Sequence, residues 1–187
     1  MEKAAGPKAR LSLALAAWLL VGLGGCGGDE GASQTPYGRA DQVRAYRLQT
    51  NPLIDWANSL EQEVQSRAVG ASGQATAENL AAVCQYARPL LLAARDSFDR
   101  IVPPPRLEDL HRDMRQVMSL RLGAYEAVLA GWELQREQGE NAQSNTLYQQ
   151  AEAQLAQANA LISAVNIQLR EVDLALGEAE GKNPVVS

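Results

Sequence analysis

Residues 147–177 read LYQQAEAQLAQANALISAVNIQLREVDLALG, and within them Leu147, Ala151, Leu155, Ala158, Ile162, Val165, Leu169, Val172 and Leu176 recur at steps of three and four. That spacing lays one apolar stripe along an α-helix. It spans more than four heptads, the longest such series in the chain, and Gly177 with Gly181-Lys182-Asn183-Pro184 is expected to stop it. Preceding it, Asn141 to Asn145 reads as a short connection, and before that a second stripe runs through Leu107, Leu110, Met114, Val117, then Leu120 or Arg121, Ala124, Val128 and Trp132, fading near Gly139.

Pro103-Pro104-Pro105 forces a turn, because a residue before proline disfavours the helical region. On its N-terminal side Thr76 is a candidate N-cap for a helix carrying Leu80, Val83, Ala87, Leu91 with Leu90, Ala94, Phe98 and Ile101. Pro89 falls inside this stripe without changing its register, which predicts a kink and not an end. Asn51-Pro52 reads as N-cap and first helical position of an earlier helix, with Leu53, Trp56, Leu60 and Val64 as its apolar positions and Gly70-Ala71-Ser72-Gly73 as its stop. Residues 37–50 are weakly periodic and read as a short helix lying on the main body. No segment alternates apolar and polar residues between turn signals, so strands have no candidate. Four long helices with short connections predict an all-α fold, an up-down-up-down four-helix bundle.

The N-terminus has a different composition. Lys3, Lys8 and Arg10 outweigh Glu2 in the first ten residues, and residues 11–23 (LSLALAAWLLVGL) are almost wholly apolar. Thirteen residues make a helix of roughly 20 Å, shorter than a hydrocarbon core of about 30 Å. A cationic start, a short apolar run and a small-residue ending are the three parts of a secretory signal. Leu23-Gly24-Gly25-Cys26 resembles the lipobox of bacterial lipoproteins. The resemblance implies cleavage between Gly25 and Cys26, a thioether-linked diacylglycerol on Cys26 and further acylation of its new amino group by palmitate-type chains. Two or three acyl chains anchor firmly where one holds only marginally. The expected organisation is a signal peptide over 1–25, lipidated Cys26 with a flexible Gly-rich tether over 26–36, a helical domain over 37–178 and a disordered tail over 179–187. The address is a membrane-anchored position on the extracytoplasmic side. A looser resemblance, Ile101-Val102-Pro103-Pro104-Pro105 followed by Leu107, Leu110 and His111, is to small bacterial lipoproteins with helical bundles, and carries no activity.

Charge and ligand chemistry bound the function. The chain has 17 basic and 22 acidic residues for a net charge of −5, and removing 1–25 takes three bases and one acid, leaving −7. A basic face for nucleic acid or anionic lipid is therefore not expected. Of the two cysteines only Cys84 remains once Cys26 is lipidated, which leaves neither an internal disulfide nor a cysteine metal cluster. Glu108-x-x-His111 has the spacing of one half of a ferritin-like di-iron site, but His111 is the only histidine. The second half is missing, so Glu108 and Asp109 read as acids complementing a helix N-terminus, with Glu108 pairing to Arg112. Met114, one turn from His111, cannot oppose it across a haem. No cofactor and no metal site is expected.

Cys84 beside the second-helix stripe reads as a small core residue, and Arg88 one turn on is what could make it reactive. Asp96/Arg100 and Arg95/Asp99 read as solvated i,i+4 pairs. Glu108, His111, Trp56 and Trp132 are the side chains that could serve a bound ligand, the tryptophans by lining a groove. Arg121, at or beside the third stripe, is the polar residue nearest the core. Three functions fit: a non-enzymatic interaction or envelope-accessory module with a protein partner, a bundle holding a small molecule or metal, and a thiol-dependent enzyme using Cys84 or the Glu108/His111 corner. Nothing in the sequence specifies an oligomeric state.

Overall fold

The computed structural model describes residues 33–69 and 76–179. Gly25, Cys26 and the rest of the expected signal, tether residues 26–32, the expected Gly70–Gly73 stop and tail residues 180–187 lie outside the described residues. The described part is an all-α bundle of four packed helices: α1 (Ala40–Val69), α2 (Ala77–Phe98), α3 (Glu108–Gln138) and α4 (Ala142–Ala179). Cross-helix bonds fix the antiparallel order. Tyr86 in the middle of α2 donates to Glu63 in the last third of α1, Arg115 near the start of α3 pairs with Asp99 just past α2, and Tyr148 near the start of α4 donates to Gln135 near the end of α3. The last helix returns to the first through a bidentate pair, Arg47 Nε to Asp173 Oδ1 at 2.9 Å and Arg47 Nη2 to Asp173 Oδ2 at 2.8 Å.

The helix ends follow local chemistry. Thr76 caps α2 by accepting the Asn79 N–H at 3.2 Å. After Pro103 and Pro104 the chain makes one 3-10 turn, Pro105–Leu107, and α3 starts at Glu108. It ends at Gly139, whose φ of +75° suits a residue without a Cβ. Asn141 Oδ1 then accepts from Gln143 and Ser144 N–H while Ser144 Oγ donates to the Asn141 carbonyl, which satisfies the α4 start although Ser144 is fully buried.

Three expectations are corrected. First, α1 does not begin at Asn51-Pro52; it begins at Ala40 and runs through Pro52. The proline costs one bond, to the Leu48 carbonyl. What holds the preceding turns is tertiary: Val43, Tyr46, Arg47 and Thr50 form a buried stripe in register with the rest of the helix. Second, α4 runs two residues past Gly177, to Ala179, while Gly181 to Pro184, the other part of the expected stop, lie outside the described residues. Third, strand pairing does occur, in a two-residue ladder of β1 (Gln34–Thr35) and β2 (Gly38–Arg39). Thr35-Pro36-Tyr37-Gly38 is its turn, with Pro at the second position, Gly38 at φ +126° and Thr35 Oγ1 accepting the Tyr37 N–H. Arg106 donates to the Pro36 carbonyl at 2.7 Å, tying this hairpin to the proline turn.

The core matches the stripe closely in α2, where Val83, Ala87, Leu91, Ala94 and Phe98 are all buried; the helix ends at Phe98, and Ile101, expected on it, is buried in the turn that follows. In α1 the stripe tracks Ile54 and Ala57, leaving Trp56 exposed at 37%. Helices α3 and α4 approach closely at two glycines: a Cβ on Gly131 would lie 2.9 Å from Cε1 of Tyr148, and one on Gly123 would lie 2.7 Å from Nε2 of Gln154. Among the described residues no helix is long and apolar enough to cross a membrane.

Candidate functional site: a buried arginine and a histidine corner

His111 stands one turn into α3, where the proline turn brings it against the end of α2. Its ring stacks on Phe98 with centroids 4.2 Å apart and planes 13° from parallel, and the ring of Tyr46 of α1 is tilted 56° to it with its hydroxyl 3.2 Å from His111 Nδ1. Burial holds the imidazole below its usual range; Asp99 opposes that shift and Arg115 adds to it. For a ring kept neutral, the fitting assignment has the Tyr46 O–H donating to Nδ1, with the ring proton on Nε2. Burial also drives the Tyr46 phenol strongly up, so it stays protonated as that donor.

Glu108 and His111 border one surface depression with Asp99, Pro103, Arg112 and Arg115. Both of its arginines are already paired. Arg115 grips Asp99, with Nε 2.6 Å from Oδ1, and Arg112 pairs with Asp109 at 2.7 Å and not with Glu108. Asp99 is thus turned across to α3, and Arg95 takes Asp96 at 3.3 Å, so the expected Arg95/Asp99 pair does not form. The corner is a ring clamped on two sides, with exposed ion pairs at its rim worth little each.

The thiol is also enclosed. Cys84 is buried at 5% exposure, and burial with the nearby Glu61 carboxylate raises its pKa to about 11. Arg88, the cation that could have activated it, donates to Glu126 Oε1 through Nε at 3.1 Å and Nη2 at 3.0 Å. Among the described residues no cation offsets that shift, and Cys84 packs in the core.

Compared with known proteins, the chain matches no family model, no curated protein and no solved structure.

Polar chemistry concentrates elsewhere, in the middle of the bundle. Arg121 takes the α3 stripe position in preference to Leu120 and is 8% exposed. One of its terminal nitrogens lies 3.4 Å from Glu61 Oε2, the same oxygen that accepts the Tyr125 hydroxyl at 3.4 Å. Burial and the Glu61 charge raise the Tyr125 phenol well above its usual value, so it too remains a donor. Arg121 Nε is buried and has no hydrogen-bond partner among the described residues. The same arginine lines a cavity of about 60 Å³ where α1 and α4 stand apart, walled by all four helices.

Ile54, Leu91, Met114, Met118, Val165 and Leu169 are among its apolar lining, and Asn58 and Asn166, which also line it, are exposed. Neither Trp56 nor half-buried Trp132 lines it. Glu61, Tyr125 and Tyr46 escape sequence reasoning. The available signal for the first two was a lone arginine in an apolar stripe, which demands a buried carboxylate on another helix. Among the described residues no three His, Cys, Asp or Glu side chains come together as metal ligands.

Proposed function

We propose that this chain is a membrane-tethered helical bundle that works by binding and not by catalysis, held on the extracytoplasmic side by lipid on Cys26. The tether rests on the Leu23-Gly24-Gly25-Cys26 motif and the cationic and apolar segments before it. The non-catalytic reading is carried by one observation: the thiol of Cys84, the side chain best suited to nucleophilic chemistry, is shut in the core with its pKa raised to about 11. The clamped His111 supports the same reading, since a base engaged by Phe98 and Tyr46 has little freedom to reach a substrate. On this reading a net negative bundle projects from the bilayer and meets a protein partner or a small ligand in the envelope.

Metabolic labelling with an alkyne-tagged palmitate analogue tests the tether. Label is expected on the full chain expressed in a bacterial host and absent from Cys26→Ala. Label of equal intensity on Cys26→Ala refutes the lipoprotein assignment.

A further inference from the structure

We infer that two copies of this chain pair antiparallel through the outward face of α4, a helix face left uncovered among the described residues. The inference does not depend on lipid at Cys26. Charge marks the face out. Between Glu152 and Arg170, seventeen consecutive residues carry no charge, where the chain average of 21% would place three or four. The core side of a bundle helix needs none, but the solvent side usually carries them. Here the solvent side lacks them too: Ala153, Ala156, Ala160 and Ala164 are exposed, Ile167 is 60% exposed, and Leu174 beyond Arg170 is 51% exposed. Ile167 stands two residues from buried Val165 and from buried Leu169, about 200° round the helix from each, so it points directly away from the core.

Apolar side chains exposed singly are ordinary, whereas a row of them depleted of charge is the composition of an interface centre. One edge of the row is apolar as well. Ala160 and Ala164 there line a surface groove together with Leu161 and with Leu120 of α3.

The charges on the other edge select the partner. Glu152 and Arg170 are both exposed, and neither is salt-bridged among the described residues. They are eighteen residues apart, five full turns, which sets them on one line of the helix roughly 27 Å apart. A second α4 laid antiparallel, about a two-fold axis level with Ala160 and Leu161, brings Arg170 of each copy to Glu152 of the other. The same pairing sets Ala153 against Ile167, small against large, and Ala160 against itself, so the two helices can approach closely. A parallel pairing would put Glu152 beside Glu152 and Arg170 beside Arg170, and like charges repel.

Disulfide trapping on the full chain reads both the contact and its direction. Single cysteines go in at exposed positions, which leaves the core untouched, and the unmodified chain supplies the baseline from Cys26 and Cys84. On mild oxidation Ala160→Cys should form a covalent dimer at least about tenfold above that baseline, because a disulfide needs its Cα atoms within about 7 Å. Ala153→Cys and Ile167→Cys should each stay monomeric alone, since in the antiparallel pair each lies roughly 20 Å from its own counterpart along the helix. Mixed together, those two variants should link to each other. Self-association of the full chain in detergent, followed by sedimentation, should weaken about tenfold in Arg170→Glu and in Glu152→Arg and recover in the chain carrying both changes, where the pairs re-form with their signs exchanged. If Ala160→Cys links no better than Ser97→Cys, exposed on α2, the interface is overturned. Self-linking of Ala153→Cys as strong as that of the mixture overturns the antiparallel order, and a doubly exchanged chain as weak as the single variants overturns the charge pairing.

Discussion

Adding one methyl group at Gly131 should destabilise the bundle, while the same change at Gly123, two turns earlier on the same helix, should not. Both substitutions replace an interior helical glycine by alanine, a change that on propensity alone is favourable by about 1 kcal/mol. The neighbours decide the sign. At Gly131 the new Cβ would lie 2.9 Å from Cε1 and 3.2 Å from Cδ1 and Cζ of Tyr148. That ring is held at its far end, where its hydroxyl donates to Gln135 Oε1 at 2.8 Å, so relief requires α3 and α4 to move apart. Overpacking of this kind costs roughly 1–3 kcal/mol. The net expectation for Gly131→Ala is a loss of about 0–2 kcal/mol.

At Gly123 the nearest atom is the terminal nitrogen of Gln154 at 2.7 Å, the end of a flexible side chain that can swing aside. Most of the propensity gain should survive, so Gly123→Ala is expected between neutral and about 1 kcal/mol more stable. Urea unfolding followed by circular dichroism at 222 nm, with both variants in one background, reads the difference. Combining Gly131→Ala with Tyr148→Ala should remove the steric part of the loss. If Gly131→Ala proves at least as stable as Gly123→Ala, the close α3–α4 approach described above is wrong.

Other residues give equally direct tests. Leu91→Ala removes a side chain only 2% exposed that also walls the central cavity, and should cost about 2–5 kcal/mol, whereas half-buried Leu155→Ala should cost less; equal losses would misplace the core. Cys84, with its pKa raised to about 11, has roughly one thiol in a thousand ionised at pH 8, against about one in four for a free cysteine. Iodoacetamide should therefore modify it over a hundredfold more slowly in the folded domain than in urea, and comparable rates would place it at the surface. His111 is held below its unfolded pKa by burial, so its contribution to stability is present above about pH 6.5 and is lost as pH falls through the folded value. The melting temperature should drop between pH 7.5 and 5.5 in the unmodified chain and drop less in His111→Gln; identical pH profiles would show that the ring is not desolvated.

Where apolar spacing and burial coincide, the architecture could be read from the residues alone. The α2 stripe from Val83 to Phe98 needed no tertiary information, and the Thr76 cap is local chemistry between a hydroxyl and an N–H three residues on. The beginning of α1 was hidden because its buried stripe includes polar members. Arg47 looks like a surface residue until Asp173, 126 positions away, accepts its two N–H bonds, and Thr50 is wholly buried in the turn before Pro52. The local Asn51-Pro52 signal then outweighed a helix that only tertiary packing explains.

The candidate site divides in the same way. Arg121 declared itself by standing in an apolar series, but Glu61 and Tyr125 come from positions whose neighbours in sequence carry no matching oddity, and the opening between α1 and α4 depends on where two distant helices diverge. Trp56 keeps the three-residue step of the α1 stripe yet is exposed, because the helix turns Ile54 and Ala57 inward between Leu53 and Leu60.

The proposal that the bundle is lipid-tethered is met most directly at its own N-terminus. Intact-protein and peptide mass spectrometry of the chain purified from bacterial membranes should find a mature form beginning at Cys26, carrying the mass of a diacylglyceryl group on sulfur and an acyl chain on the amino group. A chain that retains Met1, or one cut elsewhere with an unmodified Cys26, would contradict it.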